Sequence, residues 1–541
     1  MQPNTKRILA WIFIPLLVLL LLLLILAPLA KNQLKQKIAE QLQDKVQYSL
    51  LEISLLSRSA TLSDLKWTGT KNGDTSQIGS AAELYVGGLD LISYFFGDKQ
   101  VELKKIEVKG LSLKNYAPEN DTSSGKAFKP SDLLGDQLQA VRIKSLSVRN
   151  SEIQWFNQEG TKLAKVHGID LSIREISLDS ASAAKNNGWF STESMQMQAE
   201  GTMLLMGKKL HKLKTGKIRI SSETAAIEID SVAIVPLYAK NELAKFYGYQ
   251  TNWISAGISR IVLSDFDLDR LIYHSELTAS RADIEGFDYK AFREKAYAYH
   301  PDRQTVLPHL AFQDLVMPVS IDTLIAKNAR FLYEEHVPPA NQNGEVFFSN
   351  VDIYISNFSN TTEKGIKMHA TADLFGKAKL TADFSFPMDQ PSGIHYVKGN
   401  LAPVDLQLFN QAFEPLAFFY IKSGQLKQLD FNFQADSKSS IGDILFQYEN
   451  LKIKLLDKEN LEKSGFLKDI GSFLANKVVL HTSNTANGLE EKEDKAKEIS
   501  FERDTRKSIF NYWWKSLFSG MKNTVMRVNL NMEEEEPEKK N

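Results

Sequence analysis

Val101-Glu-Leu103-Lys-Lys-Ile106-Glu-Val108-Lys-Gly110, with Leu113 three residues on, sets out two alternating apolar residues, a one-residue slip of phase, two more alternating apolar residues and a glycine. The order returns at Val141-Arg-Ile143-Lys-Ser-Leu146-Ser-Val148-Arg-Asn150, followed by Ile153, and at Val319-Ser-Ile321-Asp-Thr-Leu324-Ile-Ala326-Lys-Asn328, followed by Phe331. A looser copy runs through Ile258, Ile261, Leu263, Asp265 and Leu268. A period of two marks a strand with one apolar face. A slip of one residue sends the second apolar pair to the opposite face unless an extra residue is absorbed. A β-bulge at Lys104-Lys105, Lys144-Ser145 and Asp322-Thr323 does this and bends the strand. Two short strands with a tight kink between them are the alternative. The Gly or Asn that closes each copy reads as a turn.

Bends of one sense, repeated, curl a sheet into a trough with one apolar wall. The residues expected to line it are Val101, Leu103, Ile106, Val108, Val141, Ile143, Leu146, Val148, Val319, Ile321 and Leu324. A second likeness follows two of the copies: Gly168-Ile169-Asp170-Leu171-Ser-Ile173 resembles Asn350-Val351-Asp352-Ile353-Tyr-Ile355. Self-similarity of this kind favours duplicated strand units in a quasi-one-dimensional array. From Leu50 to about Leu456 the chain therefore reads as a long series of antiparallel strands. Ala117–Ser131 and Ser180–Ser194 are polar connectors, and Pro236–Tyr247 is a short helix stopped by Gly248. Thr482–Lys507 is polar and charged, a mobile or loosely helical linker. Ser508–Met526 is an amphipathic helix with Phe510, Trp513, Trp514, Leu517, Met521 and Val525 on one face. Two roles are open to that helix: docking on a membrane or an envelope protein, or covering the end of the sheet.

Ile8–Ala30 holds twenty-three residues without a charge, with Lys6 and Arg7 before it and Lys31 after. As a helix rising about 1.5 Å per residue it crosses roughly 30 Å of hydrocarbon. Pro15 and Pro28 lie near its ends, where bilayers tolerate them. The apolar part is too long for a cleaved signal peptide, and a cut after Ala30 puts Pro28 where a small side chain is wanted. The segment is therefore read as an uncleaved anchor. Lys31, Lys35 and Lys37 outnumber the basic pair before it, so charge counting alone leaves the orientation open. The short leading tail and the long domain behind it favour a cytoplasmic N-terminus and an exported body. Leu34, Ile38, Leu42 and Val46 then lie four apart on the stripe of a helix running to Tyr48.

The reading divides the chain into a tail and transmembrane anchor at 1–30, a helix at 31–49, a repeating β-groove at 50–460, a helical or flexible linker at 461–507, an amphipathic helix at 508–526 and a disordered tail at 527–541. The fold class is mainly β: a single N-terminal transmembrane helix, a long curved antiparallel sheet forming a groove, and a few short helices.

With 541 residues, 43% of them hydrophobic, the chain can bury a large core, and a net charge of −1 gives no electrostatic footprint for nucleic acid. There is no cysteine, which excludes disulfides, thiol catalysis and Cys-ligated metals. The nine histidines are scattered singly, with no HExxH and no Gly-rich phosphate loop. Asp265-Phe-Asp267-Leu-Asp269, with Glu276 beyond, mimics a calcium loop, but Arg270 stands where that loop needs Gly, so the stretch reads as turn plus strand. No catalytic residue, cofactor or metal is assigned.

The anchor, the helix behind it, and Ser54-Leu55-Leu56-Ser57-Arg58-Ser59-Ala60-Thr61-Leu62-Ser63-Asp64-Leu65 resemble the opening of the AsmA-like proteins of bacterial envelopes. Glu83-Leu84-Tyr85-Val86, Leu89 to Phe96 and Val101 to Leu113 are similar to that family's order of strand, short helix-like step and paired strands. Asn328-Ala329-Arg330-Phe331-Leu332-Tyr333 and Lys422-Ser423-Gly424-Gln425-Leu426 resemble motifs further on, so the likeness covers most of residues 1 to 460. It implies a groove similar to those of bridge-like lipid transfer proteins, in a single-pass inner-membrane protein that binds or conducts lipid in the periplasm and supports the outer membrane. An anchored scaffold or assembly factor for outer-membrane components is the competing expectation. The family has no catalytic signature.

Overall fold

The computed structural model describes residues 46–54, 56–71, 74–90, 97–116, 129–135, 138–207, 210–338, 340–456, 482–485 and 496–525. The anchor Ile8–Ala30, residues 31–45 of the expected helix, most of the expected linker and the tail 527–541 lie outside them. Among the described residues no helix is long and apolar enough to cross a membrane. The chain forms two compact units. The first takes the described residues up to Leu237 with Gly257–Glu285 and Met317–Asp322; the second takes Tyr238–Ala256, Gly286–Val316 and the described residues from Thr323 on.

In the first unit, Leu50–Ser54, Ser59–Lys71 and Asp74–Gly87 form an antiparallel run. Gln100–Lys109 pairs antiparallel with Asp74–Gly87, and on its other side it pairs parallel with Ala140–Phe156. The antiparallel expectation is thus corrected. Val101 lies opposite Val141, Leu103 opposite Ile143, Ile106 opposite Leu146 and Val108 opposite Val148, and Ser112–Tyr116 continues with Leu113 opposite Ile153. The match read along the sequence is the register in space. Parallel partners need a crossover between them, and it falls between Tyr116 and Ala140.

The phase slip is absorbed, but not by the expected β-bulge in one strand against its partner: the ladders record no register shift at Lys104-Lys105 or Lys144-Ser145. Val101, Leu103, Ile106 and Val108 are all buried while Lys104 and Lys105 are exposed. The ladders resume without change of offset beyond Lys104 and Lys144, and on the next strand, Lys162–Leu178, beyond Glu175, whose φ is +49°. Three neighbouring strands take up the extra residue at one level, so no ladder is thrown out of register.

The Gly and Asn residues expected as turns do not reverse the chain. Ala140–Phe156 runs through Asn150 and Val319–His336 runs through Asn328, with φ of +47° and +53°. Asn is among the few side chains that tolerate this left-handed conformation; at Asn150 the ladder to Lys162–Leu178 shifts register, a bulge within a continuing strand. The backbone N–H of Asn150 donates to Asp170 Oδ1 at 2.8 Å, and that of Asn328 donates to Asp352 Oδ1 at 2.8 Å. This shared hydrogen bond is what the two similar segments around Asp170 and Asp352 encode.

Three further local readings change. Val46–Gln47, placed at the end of a helix, forms a short strand against Lys66 and Trp67. Lys497–Glu502, placed in the linker, is a strand beside Ser439–Ile444, because the fully buried Ile499 gives it an apolar face. After Asp265 the chain makes a helical turn, Arg270–His274, before the strand Leu277–Glu285, and Phe266 and Leu268 are both buried.

The second unit is built on a meander of Gly344–Ser359, Ile366–Leu374, Ala378–Phe386, His395–Leu401, Phe419–Ala435, Ser439–Leu455 and Lys497–Glu502. Asp288–Glu294 adds a parallel pairing to Val319–His336. One apolar face of the meander packs under Asn410–Ala417 and the C-terminal helix Ile509–Val525. That helix closes on the sheet tightly enough that a Cβ on Gly520 would lie 2.3 Å from Ile444. Tyr512 is 2% exposed, Trp513 packs on Phe384 at 4.9 Å, and the Trp513 indole N–H donates to His395 Nε2 at 2.9 Å. Its apolar face covers the sheet of its own unit, and Phe510 stays exposed.

Beneath the helix, the rings of His309 and His395 lie 5.3 Å apart, and both use a ring nitrogen on the Gly393 carbonyl. Burial first, then the neighbouring His395, pull His309 down to about 4, and burial likewise lowers His395. An unfolded histidine titrates near 6.5, so between these values the unfolded chain binds more protons than the folded one. Stability is therefore fully present above about pH 6.5 and is lost as pH falls toward about 4, by about 3 kcal/mol from His309 alone. His309→Gln should flatten this dependence in urea unfolding. A variant as acid-sensitive as the wild type would refute the assignment.

Candidate functional site

The apolar face expected to line a trough is formed, but where the repeat lies the chain itself closes it. Val101, Leu103, Ile106, Val108, Val141, Ile143, Leu146, Val148, Val319 and Ile321 are at most 7% exposed, buried along with Leu51, Leu62, Leu84 and Trp189. Leu324 is half-buried. The ten buried residues leave a ligand no accessible wall.

The accessible apolar face lies further along the same unit, on five neighbouring strands: Ser194–Ala199, Ile218–Ser221, Ala226–Ile229, Arg260–Ser264 and Leu277–Glu285. Side chains opposite one another share a face, so the ladders define two rows. One runs Met197, Ile220, Ile227, Leu263, Ala282; the other runs Ala199, Ile218, Ile229, Ile261, Ile284. Met197, Ile218, Ile220, Ile229, Ile261, Leu263 and Ile284 are each only half-buried. A further apolar row, Trp155, Ala164, Leu204, Leu213 and Ile234, crosses Ala140–Phe156, Lys162–Leu178, Gly201–Met206, His211–Thr215 and Val232–Pro236, and Leu204 there is 38% exposed.

The opposite face carries charge. Arg219 reaches Glu228 at 3.2 Å and also pairs with Asp230, Arg260 reaches Glu228 at 3.2 Å, and the Gln198 amide donates to Asp170 at 2.9 Å. Arg219 and then Arg260 hold the Glu228 carboxyl below its ordinary value, and Arg219 does the same for Asp230. Exposed pairs of this kind add little stability, but they identify the wetted side of the sheet. Ala199, Ile227 and Ala282 in these rows are buried, and the seven half-buried residues around them leave an apolar face that is partly open.

Sequence reasoning reached part of this face through the looser copy, which contains Ile261 and Leu263. It passed over Ile218-Arg-Ile220 and Ile227-Glu-Ile229. Their alternation is plain, but they lack the phase slip that drew attention to the repeat. Among the described residues no group of three or more His, Asp or Glu side chains lies close enough to hold a metal ion. In the calcium-like stretch, Arg270 pairs with Glu276 at 3.4 Å and its backbone N–H donates to Asp267 at 2.9 Å.

No family model matches the chain, and no curated protein matches it.

Proposed function

We propose that this protein is a non-enzymatic lipid binder of the bacterial envelope, anchored in the inner membrane by Ile8–Ala30 with its body in the periplasm, where it carries or conducts lipid and supports the outer membrane. The observation that carries this reading is the half-open apolar face of the first unit. A sheet with one wet and one apolar face must cover the apolar one, and acyl chains do so without a second layer of protein. The dimensions suit that occupant. Five strands spaced about 4.8 Å apart span roughly 19 Å, enough for one acyl chain, which fills about half of a 30 Å hydrocarbon core. The charge-free anchor and the ordered motifs that resemble AsmA-like proteins support the same setting.

Full-length protein extracted in mild detergent should retain phospholipid through detergent exchange, seen as discrete mass increments in native mass spectrometry and confirmed by organic extraction. A lipid-free, stable monomer would instead assign the chain to the anchored scaffold of outer-membrane components.

A further inference from the structure

Four cationic side chains of the second unit converge on one aromatic ring. Arg293, Lys295, Arg303 and Arg506 place their charges 6.0, 5.8, 5.5 and 5.8 Å from the centre of the Tyr299 ring. The fold brings them there from distant points. Arg293 lies near the end of Asp288–Glu294, and the Lys295 N–H donates to the His336 carbonyl. Arg303 sits on the loop that follows, which is tied to residues 503–507. The Thr305 N–H donates to the Thr505 carbonyl at 2.8 Å, and Arg303 Nε donates to the Arg506 carbonyl at 2.8 Å.

The carboxylates present do not balance this charge. Lys295 has Glu335 at 3.5 Å, and Tyr333 also donates to Glu335. Arg506 has Asp504 at 3.0 Å, and Lys507 shares that carboxylate at 3.6 Å. Glu294 is taken by His336 at 2.8 Å. Among the described residues Arg293 and Arg303 have no carboxylate within 4.0 Å. Arg293 is 4% exposed and makes neutral contacts only: Nε and Nη2 donate to Asn252 Oδ1 at 2.8 and 2.6 Å, and Nη1 to the Tyr299 hydroxyl at 3.4 Å. Arg303 spends Nη1 on the Gln250 carbonyl at 3.4 Å. Burial, then the like charge of Arg293, pull its guanidinium below the ordinary value. Burial works against the Arg293 charge, but Tyr333, Tyr299 and Glu335 outweigh it and hold that guanidinium above its ordinary value. Arg303, half-buried beside it and without a carboxylate of its own, is the cation that an anion would complete.

We propose that Arg293, Lys295, Arg303 and Arg506 around Tyr299 form a binding site for a phosphate-class oxyanion. Buried Arg293 and half-buried Lys295 form its floor. Half-buried Arg303 and the Arg506 side chain, 53% exposed, form the rim through which the anion enters. Guanidinium forks match the paired oxygens of phosphate, and Tyr299 keeps the cations together when the site is empty. The site stands on observations separate from the apolar face of the first unit. A free phosphate and the phosphate of a lipid headgroup offer it the same chemistry.

Calorimetric titration of the full-length protein in neutral detergent, at fixed ionic strength, separates the sources. Inorganic phosphate, glycerol 3-phosphate and a water-soluble short-chain phosphatidylglycerol are the probes, with chloride as the blank. Saturable binding of at least one is expected, the lipid tightest for a headgroup site and inorganic phosphate tightest for a free-anion site. Arg303→Gln should weaken the preferred probe by about tenfold or more, and Arg303→Lys by less. Arg219→Gln, in the first unit, should change nothing. If Arg303→Gln fails to fold, Arg506→Gln on the exposed rim takes its place. Phosphate should also raise the thermal midpoint of the wild type above that in chloride. Binding of none of the three probes, or equal affinity in wild type and the rim variants, would overturn the site.

Discussion

Ile143→Glu should unfold the first unit. Ile143 is 6% exposed and lies between Leu103 on one neighbouring strand and Ile176 on the other, and both of those are buried. A carboxylate there has neither water nor a cation to meet. It must either ionise in an apolar surround or take up a proton, and either course removes a well-packed side chain as well. The combined loss is about 4 kcal/mol or more, set against the 5 to 15 kcal/mol that keeps an ordinary domain folded. The expected result is low abundance in the membrane fraction and, for any protein recovered, a urea midpoint far below that of the wild type. Ser145→Glu, on the other side of the same bend where the ladder is open to water, should cost little. A wild-type midpoint for Ile143→Glu would mean that this part of the face is wet and that its closure has been misread.

Ile220→Glu should do the reverse, leaving the protein folded and emptying it of lipid. Ile220 occupies the middle of the half-open face, between half-buried Met197 and buried Ile227, and is itself half-buried. A charge at that position keeps much of its hydration in the free protein, so abundance and unfolding should stay close to wild type. An acyl chain laid across the face would have to strip that carboxylate, at a cost of a few kcal/mol, which is a loss of at least about a hundredfold in occupancy. Lipid retained by Ile220→Glu and Ile261→Glu at wild-type levels would remove the face from consideration. Taken together, the Ile143 and Ile220 variants distinguish a sealed core from an open surface on the same sheet.

Much of the fold was legible because the repeat carries its own geometry. The alternation, the slip and its absorption could be read from Val101–Val108, and the position-by-position likeness to Val141–Val148 already contained the register. Its direction was not there. Two strands with the same pattern pair equally well either way, and only the crossover settles which. The left-handed residues were read as turns because Gly and Asn serve reversals and in-line bulges alike. What distinguishes the two is a partner such as Asp170, which is remote in sequence. Closure over the repeat was hidden for a related reason. It depends on what packs across the face, and no local period records that. The open face had a clear alternation but no distinguishing motif. The cations around Tyr299 could not be seen at all, since Arg506 stands about two hundred residues beyond the others and is brought to them by contacts such as the hydrogen bonds of Thr305 and Arg303.

The levelling of the phase slip across three strands constrains how this chain can change length over evolutionary time. A single residue inserted between Val141 and Val148 displaces one extra residue from those at Lys104 and Glu175, and every side chain beyond it then faces the wrong side of two ladders at once. Forty residues, the offset that sets Leu111 beside Ser151, bring a strand and its extra residue to the same level on the parallel partner. Growth or loss by whole repeats leaves the pairing rule intact, whereas drift by single residues breaks it. Descendants of such a chain should therefore differ in strand number well before they differ in strand length.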